Sequence, residues 1–303
     1  MDWMIFIVFL QIVGESFPIS SSGHVVILEK FLVQKFGITI LKTKFFDHFL
    51  HGPTILILMV LFYKEWFFPL KNLFCSNHKK RLLKIFLKIV GYLFITTFIG
   101  TVFWFLVKNK IGKQCWFYSN WTLLGGLIIT AILLLLLFLK EKEKCALILS
   151  LSKDQARCTL RQAQDERAVR HFSSNYSKLT LKKVLILSFV QAFALLPGIS
   201  RFASVYVASR LLKISPRRAF QFTFLMQFPI ILPGFFLGLV DMIKTPGWKK
   251  IFSWQVNLTF LISTVVAFFA LYCIKKLAYK KKLGLIFFYM MFPIGFLLYL
   301  IFI

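Results

Sequence analysis

The stretch Gln11-Ile-Val-Gly-Glu-Ser-Phe-Pro-Ile-Ser-Ser-Ser-Gly-His24 decides the fold, because it places a charge and a broken backbone inside an apolar segment. Glu15 is its only acid, and no other formally charged residue lies between Asp2 and Glu29. Irregular backbone at membrane depth persists only where it packs within protein or lines a wet cavity. An ionisable side chain at that depth indicates a functional site.

A second stretch of the same kind, Gln191-Ala-Phe-Ala-Leu-Leu-Pro-Gly-Ile-Ser-Arg201, lies in the other half of the chain. Its Arg201 is the only formal charge between Lys183 and Arg210. We expect the active centre where the two stretches meet.

The composition indicates a polytopic membrane protein. Of the 303 residues, 58% are hydrophobic, and the mean hydropathy is +0.76. The formal charge of +27 is spread over short Lys and Arg clusters between apolar runs, where such clusters anchor loops at lipid headgroups. Membrane lipids explain this charge better than a nucleic acid does, so we expect no nucleic-acid partner.

A bilayer core about 30 Å thick needs roughly 20 apolar residues per helix, and the sequence predicts an all-α integral membrane protein with six full spans. The predicted spans are Phe49 to Tyr63, Ile85 to Val107, Trp121 to Leu139, Ala219 to Val240, Val256 to Ile274 and Leu283 to Ile303. The remaining segments, Met1 to Glu29 and Val184 to Leu212, are predicted to enter and leave the membrane on one side as re-entrant helical hairpins.

The distribution of Lys and Arg predicts the orientation. With the hairpins returning to their own side, one face receives 26 of these residues and the other face ten. The more basic face is therefore predicted to be cytoplasmic, with both termini outside.

Each half of the chain then holds one hairpin followed by three spans, and an odd number of spans inverts the second half. The sequence thus predicts an inverted repeat within a single polytopic domain, 1–303. Residues 1–139 and 184–303 are the two halves, and 140–183 form a cytoplasmic loop with a polar insert at 141–177.

The two broken stretches supply the groups that a phosphate site needs. Hydroxyls and backbone amides near two predicted helix starts come from Ser20, Ser21, Ser22, Gly23, Gly198 and Ser200. Arg201 adds a planar cation suited to phosphate oxygens. His24 is a candidate acid or base near neutral pH, and a serine within its reach is a candidate nucleophile.

Glu15 repels a phosphate unless it holds a proton or a divalent cation. With Gln11 one helical turn earlier, it offers oxygen ligands suited to Mg²⁺ or Ca²⁺. Structural explanations compete with these roles: the serines pack helices closely, His24 is a hydrogen-bonded interfacial residue, and Arg201 snorkels or pairs with Glu15. All four residue types on broken segments favour a phosphate site.

Together these motifs resemble the undecaprenyl-diphosphatase family, also called the bacitracin-resistance protein family. The match rests on Gln11-x-x-x-Glu15, Phe17-Pro-Ile-Ser-Ser-Ser-Gly-His24 and Pro197-Gly-Ile-Ser-Arg201, and it extends over nearly the whole chain apart from the insert. The resemblance implies an enzyme of the bacterial cytoplasmic membrane that hydrolyses undecaprenyl diphosphate to undecaprenyl phosphate and inorganic phosphate. That reaction recycles the lipid carrier for cell-wall synthesis and confers bacitracin resistance, at a site that opens to the outer face.

The resemblance also implies the site residues. It assigns Gln11 and Glu15 to the paired polar and acidic motif, and Ser21 to the favoured nucleophile. It assigns His24 to the family's histidine, and Ser200 and Arg201 to the phosphate-binding part. Ser20 and Ser22 belong to the same cradle. Attack by Ser21, assisted by Glu15 or His24, and direct attack by water are both compatible with the sequence.

One departure from the family pattern follows Arg201. The family continues with Ser-Gly and a Thr two positions later, whereas this chain has Phe202, Ala203 and Val205. Two hydroxyls and a glycine are lost, although Ser204 is placed to replace one hydroxyl. We expect this departure to weaken or alter the activity, and Phe202 to narrow the phosphate pocket.

Two other functions compete with the diphosphatase. A polyprenyl-phosphate transporter or flippase without hydrolysis would use the same inverted repeat and broken helices, and an inactive membrane scaffold would tolerate replacement of Glu15 and Arg201. The sequence carries no signal for an oligomeric state.

Overall fold

A computed structural model describes residues 3–38, 46–63, 79–107, 119–151, 180–244 and 254–302. Within these ranges the chain is helical and has no strand. The α-helices, numbered α1 to α11 in chain order, are Trp3–Gly14, Ser21–Phe36, Phe46–Phe49, Gly52–Leu61, Lys79–Leu106, Asn120–Leu151, Leu181–Phe193, Arg201–Leu211, Pro216–Lys244, Trp254–Tyr279 and Ile286–Phe302. A short 3₁₀ helix, Leu283–Leu285, directly precedes α11.

Five of the described helical segments are long and apolar enough to cross a membrane. They are Phe86–Phe103 within α5, Asn120–Lys142 within α6, Pro216–Lys244, Trp254–Tyr279 and Leu283–Phe302. Each coincides with a span predicted from the sequence. The prediction of an all-α, multi-pass membrane protein is therefore confirmed.

The predicted first span, Phe49 to Tyr63, is interrupted in the structure. Helix α3 ends at Phe49, and α4 begins at Gly52, with Pro53 in its first turn. Proline has no backbone N–H. It suits a helix start, where the N–H groups have no acceptor within the helix, but it disrupts a helix interior. The segment Phe46–Leu61 is consequently a shorter apolar helix than the other spans, and the break turns His51 toward the protein.

Both broken stretches fold as a helix, a tight connection and a second helix. The first pair is α1 and α2, and the second pair is α7 and α8, whose helices contact each other within each pair. Ser20 caps α2 by accepting a hydrogen bond from the Gly23 N–H at 3.2 Å. Ser200 caps α8 in the same way, from the Ala203 N–H at 3.2 Å. Serine is a preferred residue for this capping, so the local sequence explains where both second helices begin.

The two halves of the chain interlock through these helix pairs. Helix α1 packs along α10, and α7 packs along α5, where the hydroxyls of Thr96 and Ser188 are 2.9 Å apart. Helix α2 contacts α11, α8 contacts α6, and α6 contacts α11. All of these contacts join the first half of the chain to the second. The tips of the two helix pairs therefore lie inside one helical assembly.

The polar insert begins as a continuation of α6. That helix runs to Leu151, beyond the predicted end of the third span at Leu139. The rest of the insert, 152–177, lies outside the described residues.

Candidate active site

The Glu15 carboxylate is held by side chains from two separate parts of the chain. It lies in the connection directly after α1, and its side chain is 8% exposed. The Gln11 Nε2 group, one helical turn earlier, donates to Glu15 Oε1 at 3.1 Å. The Thr54 hydroxyl donates to Oε2, and the His51 ring contacts Oε1 through Nδ1. Both carboxylate oxygens are therefore engaged, which fixes the orientation of Glu15.

Sequence reasoning did not identify His51 and Thr54. They flank the Gly52–Pro53 helix start, and His51 is itself contacted by the ring of His48, with centroids 5.9 Å apart. The available signal was a pair of polar side chains at the beginning of an apolar helix. Because they lie far from Glu15 in sequence, only the packing of α3 and α4 reveals their role.

The three serines after Pro18 have different environments. Ser20 is buried, and its oxygen serves the α2 cap, although its hydroxyl proton remains able to donate. Ser22 is exposed. Ser21 is half-buried, and its Cβ would lie 3.1 Å from a methyl group built on Gly14, the residue before Glu15. Ser21 is thus the serine placed nearest to the start of the Glu15 connection.

The tips of the two helix pairs meet at glycine. A methyl group built on Gly23 would lie 3.5 Å from the Gly198 Cα atom. Gly198 has φ of +82°, a conformation that side chains rarely adopt, and a methyl group there would lie 2.4 Å from the Leu123 carbonyl oxygen. Glycine at both positions permits the close approach that sequence analysis expected.

Helix α6 supports the second tip from the side. A methyl group on Gly126 would lie only 2.0 Å from the Pro197 carbonyl oxygen, so the two backbones are in contact. One turn later, the buried Thr130 hydroxyl donates to the Gly198 carbonyl at 3.1 Å and accepts from the Ser200 N–H at 3.0 Å. These contacts position the start of α8.

Arg201 is the first residue of α8 and is half-buried. Its guanidinium interacts electrostatically with Glu15 and with His48. Among the described residues, no hydrogen bond or ion pair engages the guanidinium. Arg201 is therefore a cation beside the Glu15 cluster whose donors are available to an anionic ligand.

His24 lies on a different side of the first tip. Its Nδ1 donates to the Ser20 carbonyl at 2.6 Å, and its ring stacks on Tyr289 of α11 with centroids 5.9 Å apart. The proton on Nδ1 leaves Nε2 with the lone pair of a neutral imidazole, and Nε2 is buried without a partner in the described part of the chain. The contacts of Glu15 are instead with Gln11 of α1 and with His51 and Thr54 at the start of α4, so the two candidate bases lie on separate sides of the tip.

Phe202 does not line the phosphate side of α8, contrary to the expectation that it narrows the pocket. Its ring is buried against Phe220 and Phe224 of α9, with centroids 5.6 and 4.9 Å away. Successive residues of an α-helix are rotated by about 100° around its axis. Phe202 therefore faces a different direction from Arg201, and here that direction is the core. Ser204 is buried, and its hydroxyl has no partner among the described side chains.

The residues proposed as metal ligands fit a hard cation in kind. Glu15 offers a carboxylate, and Gln11 Oε1 is buried without a hydrogen-bond partner among the described residues. Oxygen donors of this kind suit Mg²⁺ or Ca²⁺. The described residues contain no group of three or more His, Cys, Asp or Glu side chains able to hold a metal, so substrate oxygens and water would complete the coordination.

The arrangement is suited to phosphoryl chemistry. An oriented carboxylate, an uncommitted guanidinium, a half-buried serine and two capped helix starts converge where the tips meet. Helix starts and guanidinium groups stabilise phosphate oxygens, and phosphoryl transfer depends mostly on positioning and charge neutralisation.

Comparison with known proteins places this chain in a family. The sequence model of the bacitracin resistance protein BacA matches residues 4–297. The undecaprenyl-diphosphatase of Borrelia recurrentis is 26% identical over 284 residues, which cover 91% of this chain and 89% of that protein. Undecaprenyl-diphosphatase 1 of Bacillus licheniformis is 28% identical over 278 residues, covering 89% of each chain. The undecaprenyl-diphosphatase of Caldicellulosiruptor bescii is 26% identical over 281 residues, which cover 92% of this chain and 89% of that protein. This chain therefore belongs to the bacitracin resistance protein BacA family.

Proposed function

We propose that this protein hydrolyses undecaprenyl diphosphate to undecaprenyl phosphate and inorganic phosphate. The observation that carries the proposal is the electrostatic interaction of Glu15 from the first tip with the uncommitted Arg201 of the second. Together they provide an acid–base group and a phosphate anchor. The names of the relatives specify the same substrate.

In the proposed mechanism, Arg201 and the amides at the two helix starts bind the terminal phosphate. The Ser21 oxygen attacks that phosphorus while its proton passes to Glu15. The bond to the bridging oxygen breaks, undecaprenyl phosphate leaves, and water then releases phosphate from Ser21. In the alternative sequence, Glu15 takes the proton of a water molecule that attacks directly. His24, through Nε2, is the second candidate proton carrier. Ser20, Ser22, Gly23, Gly198 and Ser200 complete the cradle.

The proposed cofactor is a divalent cation, Mg²⁺ or Ca²⁺, with Gln11 and Glu15 as its protein ligands. Such an ion neutralises negative charge on a diphosphate. The hydrogen bond between the same two side chains orients the carboxylate.

The proposed architecture is an inverted repeat with two re-entrant hairpins and six spans. Gln11 and Gln191 are both buried, and Ser20 and Ser200 cap their helices identically, with the same separation along the chain. The packing of α1 on α10 is matched by that of α7 on α5, and the contact of α2 with α11 is matched by that of α8 with α6. These correspondences support a two-fold relation between the halves.

The excess of Lys and Arg on one face supports an orientation in the bacterial inner membrane with that face cytoplasmic. The site is proposed to open to the outer face, as the resemblance to the family implies. There the enzyme would recycle the carrier for cell-wall synthesis, a role consistent with the resistance to bacitracin in the family name.

Phosphate release by detergent-purified protein tests the proposal. The substrate is undecaprenyl diphosphate, with Mg²⁺, Ca²⁺ or a chelator, and the variants are Glu15→Gln and Arg201→Lys. We expect each substitution to lower the rate at least about a hundredfold, whereas Glu29→Gln, a carboxylate change on α2 outside the cluster, retains activity. Absence of release by folded wild-type protein, with transfer of lipid phosphate across vesicles, would favour the transporter instead.

A further inference from the structure

Four helices converge at the end of the assembly opposite Arg201 along α8. Lys140 of α6 donates through Nζ to the carbonyl of Arg210, near the end of α8, at 3.0 Å. Helix α10 joins them, because the Tyr206 hydroxyl of α8 donates to the Ala278 carbonyl at 3.2 Å. The first turn of α9 reaches the same place, where the Arg217 guanidinium lies 5.8 Å from the centre of the Tyr279 ring. We call this region the basic end.

The basic end carries a dense group of exposed cations. The exposed members are Lys213, Arg217, Lys276, Lys280, Lys281 and Lys282. Glu141 of α6 lies among them. It is buried, pairs with the Arg210 Nε group at 3.3 Å and also interacts electrostatically with Lys281. The exposed cations therefore outnumber the acid that lies beside them, and the basic end presents a positively charged surface.

One of these cations continues an exposed apolar stripe. Val265, Phe269, Tyr272 and Lys276 follow one face of α10 at spacings of three and four residues, and all four are exposed. The Lys276 Nζ atom lies over the Tyr272 ring at 4.5 Å from its centre. Apolar surface along a spanning helix contacts acyl chains, and tyrosine with lysine at its end is typical of the headgroup level. The apolar part of this face is thus suited to an acyl chain, and the lysine at its end is suited to the headgroup of the same lipid.

We propose that this face of α10 binds an anionic phospholipid. The acyl chain lies along Val265 and Phe269, and the headgroup phosphate contacts Lys276 and Lys280, which are one helical turn apart. The charge of the site selects an anionic headgroup over a zwitterionic one. The site is separate from the Glu15–Arg201 centre and does not depend on the proposed hydrolysis.

Lipid titration of the purified protein, followed by native mass spectrometry, tests this inference. The probes are phosphatidylglycerol and phosphatidylcholine with matched acyl chains. The test variant combines Lys276→Gln with Lys280→Gln. Its matched control combines Lys35→Gln with Lys244→Gln, which removes the same charge from exposed positions at the ends of α2 and α9.

We expect wild-type protein to prefer phosphatidylglycerol, and the test variant to lose about 25-fold in affinity for it, or about fivefold per charge. The control should stay within about twofold of wild type. Equal binding of the two lipids by wild-type protein would overturn the inference, as would an equal loss in the control. Displacement of the bound lipid by millimolar inorganic phosphate would show a simple anion site and also contradict it. All four lysines are exposed, so neither double substitution should change the unfolding temperature. Thermal unfolding of both variants verifies that they are folded.

Discussion

Replacement of Gly126 by alanine tests how strictly α6 positions the phosphate-binding tip. A methyl group there would lie 2.0 Å from the Pro197 carbonyl oxygen and 2.9 Å from the Gly198 Cα atom. Ordinary contact begins near 3.4 Å, so the two backbones must separate by more than 1 Å. The Thr130 hydroxyl, one turn along α6, would lose its geometry with the tip as well.

The shift would pass directly to Arg201, which begins the helix after this tip. A displacement of about 1 Å at a catalytic group can cost about a hundredfold in rate. We therefore expect Gly126→Ala to lower kcat/KM for phosphate release by about ten- to a hundredfold. The assay is colorimetric phosphate release from undecaprenyl diphosphate, with thermal unfolding measured on the same preparations.

Gly125→Ala is the matched control, one residue away on the same helix. A methyl group on Gly125 meets nothing within 4 Å, and alanine is a better helix former than glycine by up to about 1 kcal/mol. This variant should retain wild-type activity and unfold at the same or a slightly higher temperature. Equal activity of the two alanine variants would refute the reasoning that α6 positions the tip.

Three other substitutions have defined outcomes. Thr54→Val removes a donor to the Glu15 carboxylate, and the loss of a hydrogen bond to a charged group, about 1.5–3 kcal/mol, should lower phosphate release about ten- to a hundredfold. Phe202→Ala leaves a cavity in the aromatic cluster and should lower the free energy of unfolding by about 3–5 kcal/mol, measured by denaturation, without lowering KM. Glu141→Gln leaves the buried Arg210 charge without its counter-ion and should destabilise the protein by about 3–5 kcal/mol in the same assay.

Each of these variants has a control elsewhere in the chain. Thr97→Val removes a hydroxyl that bonds only to its own helix, at the Leu93 carbonyl, and should leave activity unchanged. Phe98→Ala and Lys142→Gln alter exposed side chains and should leave stability nearly unchanged. A Thr54→Val enzyme with full activity, a Phe202→Ala enzyme with a lowered KM, or a Glu141→Gln protein as stable as Lys142→Gln would each contradict the corresponding assignment.

The helix boundaries at the site were predictable because they depend on local sequence. Serine before a helix start caps it, so Ser20 and Ser200 marked the beginnings of α2 and α8. Gln11 and Glu15 are one helical turn apart, and their hydrogen bond follows from that spacing. Long apolar runs similarly predicted the five spanning helices.

Other features depend on packing between distant segments and were not predictable from local patterns. His51 and Thr54 reach Glu15 only because the start of α4 lies beside the end of α1. The orientation of Phe202 depends on which face of α8 meets α9, which a motif comparison does not specify. The interruption of the predicted span before Gly52 follows from Pro53, whose effect on a helix depends on whether it begins the helix or lies within it.

The central claim is that Glu15 and Arg201, from two different helix pairs, act together at one diphosphatase site. A double-mutant cycle of Glu15→Gln and Arg201→Lys, measured as kcat/KM for phosphate release from undecaprenyl diphosphate, tests it most directly. We predict that each single substitution lowers kcat/KM at least about a hundredfold. The double variant should have a kcat/KM only slightly below that of the less active single variant, because the losses from substituting coupled groups are strongly non-additive. Losses that simply multiply in the double variant, or single variants with near wild-type activity, would contradict a shared site.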